Sequence, residues 1–259
     1  MPGDTRIYLI IAGALPALVA MYFVDRLDRK RPEPRSLRMK VAFVGALSVL
    51  PVLLIDGLLE GLVGQRVPPQ FTYNGSMVHA YFFAAAVEEM CKIAVVYWVV
   101  WRRPEFDERM DGIVYAGRAG LGFALVENVL YMLGQHGLSG TAWTWVLRAC
   151  LAVPGHAMWS GMIGYLAARR RFDKQGPGLI GGYLLAVAAH GSYDYVLFAQ
   201  QPLALEGHTV AAQLILIAPV AIIATCFFIM RRMSRTALAL DDIDAERLAM
   251  PAMVAAEPA

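Results

Sequence analysis

Seven apolar stretches, each near the length needed to cross a bilayer, follow one another along 259 residues with only short connections between them. A helix needs roughly 20 apolar residues to span a hydrocarbon core ~30 Å thick, because inside lipid each backbone amide must find its partner within the segment. The stretches cover residues 7–24, 41–63, 78–101, 112–133, 143–168, 178–198 and 210–230. Turn residues separate them, including Pro32, Pro34, Pro68, Pro69, Asn74, Gly75, Pro104, Gly176 and Pro177. With 58% hydrophobic residues, 17% charged residues and a mean hydropathy of +0.50, the composition fits a membrane protein better than a soluble globule. The expected fold is all-α, a polytopic transmembrane helical bundle of about seven spans with its active site between central helices.

Lys and Arg set the expected orientation. Residues 25–40 carry seven of them, 102–111 three, 169–177 four, and the segment from Arg231 onward four. The alternate connections carry almost none beyond Arg6 and Arg66. The positive-inside rule then places the N-terminus outside and the basic loops and C-terminus in the cytoplasm of a multi-pass cell-membrane protein. Residues 7–24 read as a retained helix, since the basic cluster follows the apolar run instead of preceding it. Residues 1–235 form the helical domain. Residues 236–259 read as a mobile cytoplasmic tail with at most one short helical stretch, because no apolar face is sustained there. The net charge of +2 and the absence of basic runs interleaved with aromatics point away from a nucleic-acid partner. Cys91, Cys150 and Cys226 lie in apolar segments without metal-type pair spacing and read as small hydrophobes.

An ionisable side chain at bilayer depth costs about 2.5–3.5 kcal/mol even on lenient insertion scales, so each one asks for a function. Asp56 and Glu60 fall in the second stretch, Glu88, Glu89 and Lys92 in the third, Arg118 and Glu127 in the fourth, Arg148 and His156 in the fifth, and His190 and Asp194 in the sixth. Counted from the basic ends at a rise of ~1.5 Å per residue, Glu88 lies ~20 Å up, Glu127 ~22 Å, and His156 and His190 ~18 Å. Antiparallel spans therefore bring these four to one level, slightly outside the midplane. Four-residue spacing puts Glu88 with Lys92, Phe123 with Glu127, and His190 with Asp194 on shared helix faces. Pro154 and Gly155 predict a bend just before His156.

Peptide hydrolysis needs an activated water, a group that polarises the carbonyl, and a proton donor for the leaving amine. Two histidines and a carboxylate suit Zn²⁺ with one open position, and a further Glu suits a general base. Glu88 or Glu89, Glu127, His156 and His190 supply that set. Each also has a plainer reading: Glu88 with Lys92 as an ion pair, His156 as a packing histidine, Asp56 and Glu60 as the lining of an aqueous cavity. Arg118 and Arg148 are left outside the site, as snorkelling or pairing groups. His79, His136 and His208 lie near the outer boundary.

These residues resemble the PrsW intramembrane proteases, related to the CAAX prenyl endopeptidase and bacteriocin-processing superfamily. The resemblance rests on four ordered motifs: Glu88-Glu89-x-x-Lys92; residues 106–131, FDERMDGIVYAGRAGLGFALVENVLY; His156 in PGHAMWSGMIGY; and HGSYD from His190 to Asp194. It implies a membrane-embedded, metal-dependent endopeptidase with Glu88 and Glu89 catalytic, and with Glu127, His156 and His190 holding the metal, expected as zinc. Lys92, Asn128 and Asp194 are implied to support them. The substrate implied is a membrane-spanning protein such as a transmembrane anti-sigma factor, which the family's namesake cuts first in a cascade. Arg109 stands where the family commonly has Pro, and Ser192-Tyr193 follow His190-Gly191; neither removes an acid or a ligand. In the related prenyl endopeptidases the same side chains also serve a Glu-activated water with His stabilising the oxyanion, so the metal stays open. Two other classes compete: a proton- or ion-coupled carrier, disfavoured by the lack of an inverted repeat, and an inactive scaffold, disfavoured by the complete polar set.

Overall fold

The computed structural model describes residues 3–254, and every regular element among them is helical. Seven helical stretches match the seven apolar segments. The first is Gly3–Asp25. The second joins Arg35–Leu47 to Val49–Val63 at Ser48, whose hydroxyl donates to Gly45 O at 2.6 Å. The third links Tyr73–Val78 to Ala86–Val99 through a π-helical segment, His79–Ala85. The fourth is Arg109–Leu133. The fifth links Leu138–Leu147 to Val153–Phe172 through a second π-helical segment, Arg148–Ala152. The sixth is Gly178–Phe198, and two short helices, Gln200–Leu205 and Thr209–Leu214, lead into the seventh, Ile217–Val254. By length and composition the first, second, fourth and seventh are apolar enough to cross a membrane. The other three carry Glu88, Glu89, Lys92, Arg148, His156, His190 and Asp194.

The fourth span is the hub, packed against the fifth, first and second. Its buried face runs unbroken from Arg109 to Ala124. Small residues make this approach close: a Cβ on Gly112 would stand 2.3 Å from the Gly164 carbonyl oxygen, and one on Gly120 would stand 2.5 Å from that of His156. Between helices in lipid, close van der Waals packing replaces the hydrophobic effect as the main attraction, which explains the Gly-rich seam. Large apolar side chains such as Phe43, Leu54, Phe82, Trp98 and Phe228 point away from the bundle, as a lipid-facing surface requires.

The bend expected at Pro154 takes the form of a widened turn. Val153 N–H donates to Arg148 O, a five-residue step. Pro154 has no N–H for the Cys150 carbonyl, and the wider turn relieves that loss.

The expectation for the C-terminal segment needs correcting. Residues 236–254 continue the seventh helix, with no break after Arg235. Asp241, 2% exposed, accepts the Arg109 and Met110 amides at 3.0 Å each, and Arg109 Nη1 at 2.9 Å. Tertiary contacts at Asp241, Asp242 and Asp244, which hydropathy does not register, secure a helix that lacks a continuous apolar face.

Candidate active site

Glu88, Glu89 and Lys92 lie on the first turns after the π-helical segment of the third span, and all three are buried. Lys92 Nζ donates to Glu88 Oε2 at 2.8 Å and to Glu89 Oε1 at 2.9 Å, over the face of Phe123 at 4.1 Å. It also lies 2.9 Å from His156 Nδ1. An ammonium can only donate, so His156 Nδ1 accepts and its Nε2–H donates to Glu127 Oε2 at 2.8 Å. Glu127 in turn accepts from Arg148 Nη2 at 2.6 Å, and Asn128 Oδ1 accepts from Arg148 Nε at 2.5 Å.

His190 has a carboxylate at each ring nitrogen: Glu89 Oε1 at 3.0 Å from Nδ1, and Asp194 Oδ2 at 3.3 Å from Nε2. Trp159 stacks on its ring, with centroids 4.1 Å apart and planes 11° apart. The His156 and His190 rings meet edge-on at 5.3 Å. The four residues expected at one level, Glu88, Glu127, His156 and His190, thus belong to one connected polar cluster, with Glu89, Lys92, Asn128 and Asp194 in it.

The two acids of the pair are not equivalent. Both Glu89 oxygens are engaged, Oε1 by Lys92 and His190 and Oε2 by the Ser160 hydroxyl at 3.2 Å, and Glu89 is fully buried. Glu88 uses Oε2 for Lys92 and borders a cavity of about 280 Å³. Glu127, Arg148, His156, His190 and Asp194 share that wall. Thr144 and Leu147 from the fifth span, Phe198 at the end of the sixth, and Leu216 and Pro219 at the start of the seventh line the same space.

Glu88, Glu89, His156 and His190 each offer a ligand atom within 4.8 Å of the others, a mixed nitrogen and oxygen donor set that fits a divalent transition ion. Lys92, bonded to three of these four side chains, is a competing positive charge. Glu127, expected among the metal ligands, stands outside this group of four and holds His156 instead.

Sequence reasoning leaves Arg148 outside the site, and the structure brings it in. It lies eight positions before His156, about 80° away around a plain α-helix. The π-helical segment absorbs one residue, so the interval acts as about two full turns. Trp159 and Ser160, three and four residues past His156, were also missed, although that spacing places them beside it. Arg118 belongs elsewhere: it pairs with Asp25, as does Arg38. Asp56 and Glu60 line a separate shallow cleft with Gln70 and His79.

Residues 33–225 match the family described as PrsW family intramembrane metalloprotease. Protease PrsW of Geobacillus kaustophilus is 34% identical over 197 residues, covering 74% of this chain and 81% of that protein. Protease PrsW of Oceanobacillus iheyensis is 32% identical over 191 residues, 73% of this chain and 82% of that protein. Protease PrsW of Bacillus subtilis is 30% identical over 194 residues, 74% and 83% respectively. No solved structure matches the chain significantly.

Proposed function

We propose, from the premise that this chain belongs to the PrsW family of intramembrane metalloproteases, that Glu88 is the general base for hydrolysis of a peptide bond in a membrane-spanning protein. The observation that carries this reading is the asymmetry of the acid pair: Glu89 is saturated by Lys92, His190 and Ser160, while Glu88 borders the cavity with an oxygen to spare.

In this reading Glu88 takes a proton from a water in the cavity as the water oxygen attacks the scissile carbonyl carbon, and returns it to the amine as the C–N bond breaks. Lys92 holds Glu88 in place through Oε2. His190, whose Nε2 lies 3.3 Å from Asp194 on the same wall, is placed to donate to the oxygen of the tetrahedral intermediate. Glu127, fixed by Arg148, orients the His156 ring, and Asp194 orients that of His190. A divalent ion, when bound, would supply Lewis-acid polarisation of the carbonyl and a more acidic water. Glu89, His156 and His190 would hold it in exchange for the Lys92 ammonium that Glu89 and His156 now accept from, with zinc the ion that their nitrogen and oxygen donors suit.

The substrate enters between the fifth span and the start of the seventh, where Leu147, Leu216 and Pro219 leave the cavity apolar-sided. A single-pass protein of the anti-sigma-factor kind, cut near its outer membrane boundary in the cell membrane, fits this site with the N-terminus outside and the C-terminus cytoplasmic. Co-expression of tagged single-pass substrates with the wild type and with Glu88→Ala, Glu89→Ala, His156→Ala and His190→Ala tests the proposal. The wild type is expected to yield a fragment that the variants do not. Undiminished cleavage in all four variants would overturn it.

A further inference from the structure

At the basic-loop end of the bundle, remote in the fold from the cavity, four carboxylates come together. Asp28 ends the short helical turn after the first span, Glu33 lies in the connection that follows, and Glu108 and Asp111 open the fourth span. Asp28, Glu108 and Asp111 each present an oxygen within 4.8 Å of the others. Glu33 adjoins Asp111 and accepts the Tyr115 hydroxyl.

Helix capping explains only part of this. Asp111 Oδ2 accepts the Asp107 and Glu108 amides at 2.8 Å and 2.7 Å, and Glu108 Oε1 meets Arg31. Asp28 is a separate matter. It comes from another element, is 1% exposed, and with the Arg31 amide beside it neither of its oxygens makes a well-formed hydrogen bond among the described residues. Asp111 Oδ1, beside the Glu33 carboxyl, and Glu108 Oε2 likewise accept from no N–H or O–H donor among the described residues. Arg31 brings one positive charge and divides it with Asp242 at 3.0 Å. Unpaired carboxylates taken out of water are costly, and either shared protons or a bound cation relieve that cost.

We propose that Asp28, Glu108 and Asp111, with Glu33 beside them, bind a divalent cation that ties the first connection to the start of the fourth span. The donors are all oxygens, with neither imidazole nor thiolate, so the ion is of the hard class, Mg²⁺ or Ca²⁺. The site is independent of the catalytic cluster. Its ion braces the helix whose far half carries Glu127 and whose Gly120 abuts His156.

Mn²⁺ is the probe, followed by electron paramagnetic resonance and by thermal unfolding of the full chain in lipid nanodiscs. The wild type is expected to bind Mn²⁺ at this site, to release it to millimolar Mg²⁺ or Ca²⁺, and to gain Tm as Mn²⁺ rises. Whichever ion displaces it at lower concentration identifies the occupant. Asp28→Asn should lose one bound equivalent, or weaken it about tenfold or more, and lose that gain in Tm. His190→Ala should keep both, which separates this site from the catalytic one. Glu108→Gln, expected to act like Asp28→Asn, serves if that variant does not fold. Equal Mn²⁺ stoichiometry and affinity in the wild type and in the acid variant would overturn the proposal, as would a wild type without bound Mn²⁺.

Discussion

At the scale of single residues, the third span separates two carboxylates that are adjacent in sequence. Neighbours on a helix point ~100° apart, so Glu88 faces the cavity while Glu89 turns towards Lys92, His190 and Ser160. Glu88→Gln keeps the volume and removes the base; kcat is expected to fall about 10²–10⁴-fold with KM little changed, measured on a fluorogenic peptide. Lys92→Met leaves two buried carboxylates without their cation and is expected to cost about 3–5 kcal/mol in chemical unfolding, more than Glu88→Gln does. Much of this cluster was legible from hydropathy alone, because Glu88, Glu127, His156 and His190 interrupt apolar runs at matching depths. Arg148 was not, since its partner depends on a turn width that spacing does not reveal. The division of labour between Glu88 and Glu89 was also hidden: it depends on which face of the helix meets the sixth span.

At the scale of elements, two π-helical segments, His79–Ala85 and Arg148–Ala152, lie immediately before the acid pair and before His156. Widened turns of this kind recur at functional sites because they re-aim the side chains that follow. The close crossing of the fourth and fifth spans fixes His156 from the other side. Gly120→Ala would put a Cβ 2.5 Å from the His156 carbonyl oxygen, and is expected to lower stability by about 1–3 kcal/mol and to reduce cleavage without altering any polar group. Gly57→Ala, with nothing within 4 Å of the new Cβ, is the control and should leave both unchanged or raise stability slightly. The apolar segments foretold the number and order of the long helical stretches, four of which are long and apolar enough to cross a membrane. Crossing points escape hydropathy, because they depend on which small residues of two helices meet.

At the scale of the whole molecule, the seventh helix runs on past the apolar stretch, and its polar end is pinned to the fourth span and neighbouring loops. Asp241 caps the fourth span from another helix, and Arg109 joins it to Asp173 and Asp244. Asp241→Ala is expected to cost about 1–2 kcal/mol, read as a lowered Tm. Burial pushes the Asp173 carboxyl up, but the hydrogen bonds and charges of Arg109 and Arg169 hold it below the ordinary aspartate range overall. A carboxyl depressed in the fold adds stability that is fully present above its ordinary pKa and fades as pH falls through the folded value. Asp173→Asn should therefore lower Tm at neutral pH, with the gap closing on acidification below pH 4 or so. Composition alone marked this region as a tail, because isolated polar contacts leave no periodic trace.

Purified protein in liposomes with a defined single-pass substrate, its products read by mass spectrometry with and without a chelator, tests the central claim most directly. The wild type is expected to cut at one bond within or beside the membrane segment, to lose that activity on chelation and regain it with Zn²⁺, while Glu88→Gln leaves the substrate intact under every condition. Cleavage at the same bond and rate by wild type and Glu88→Gln would contradict the account.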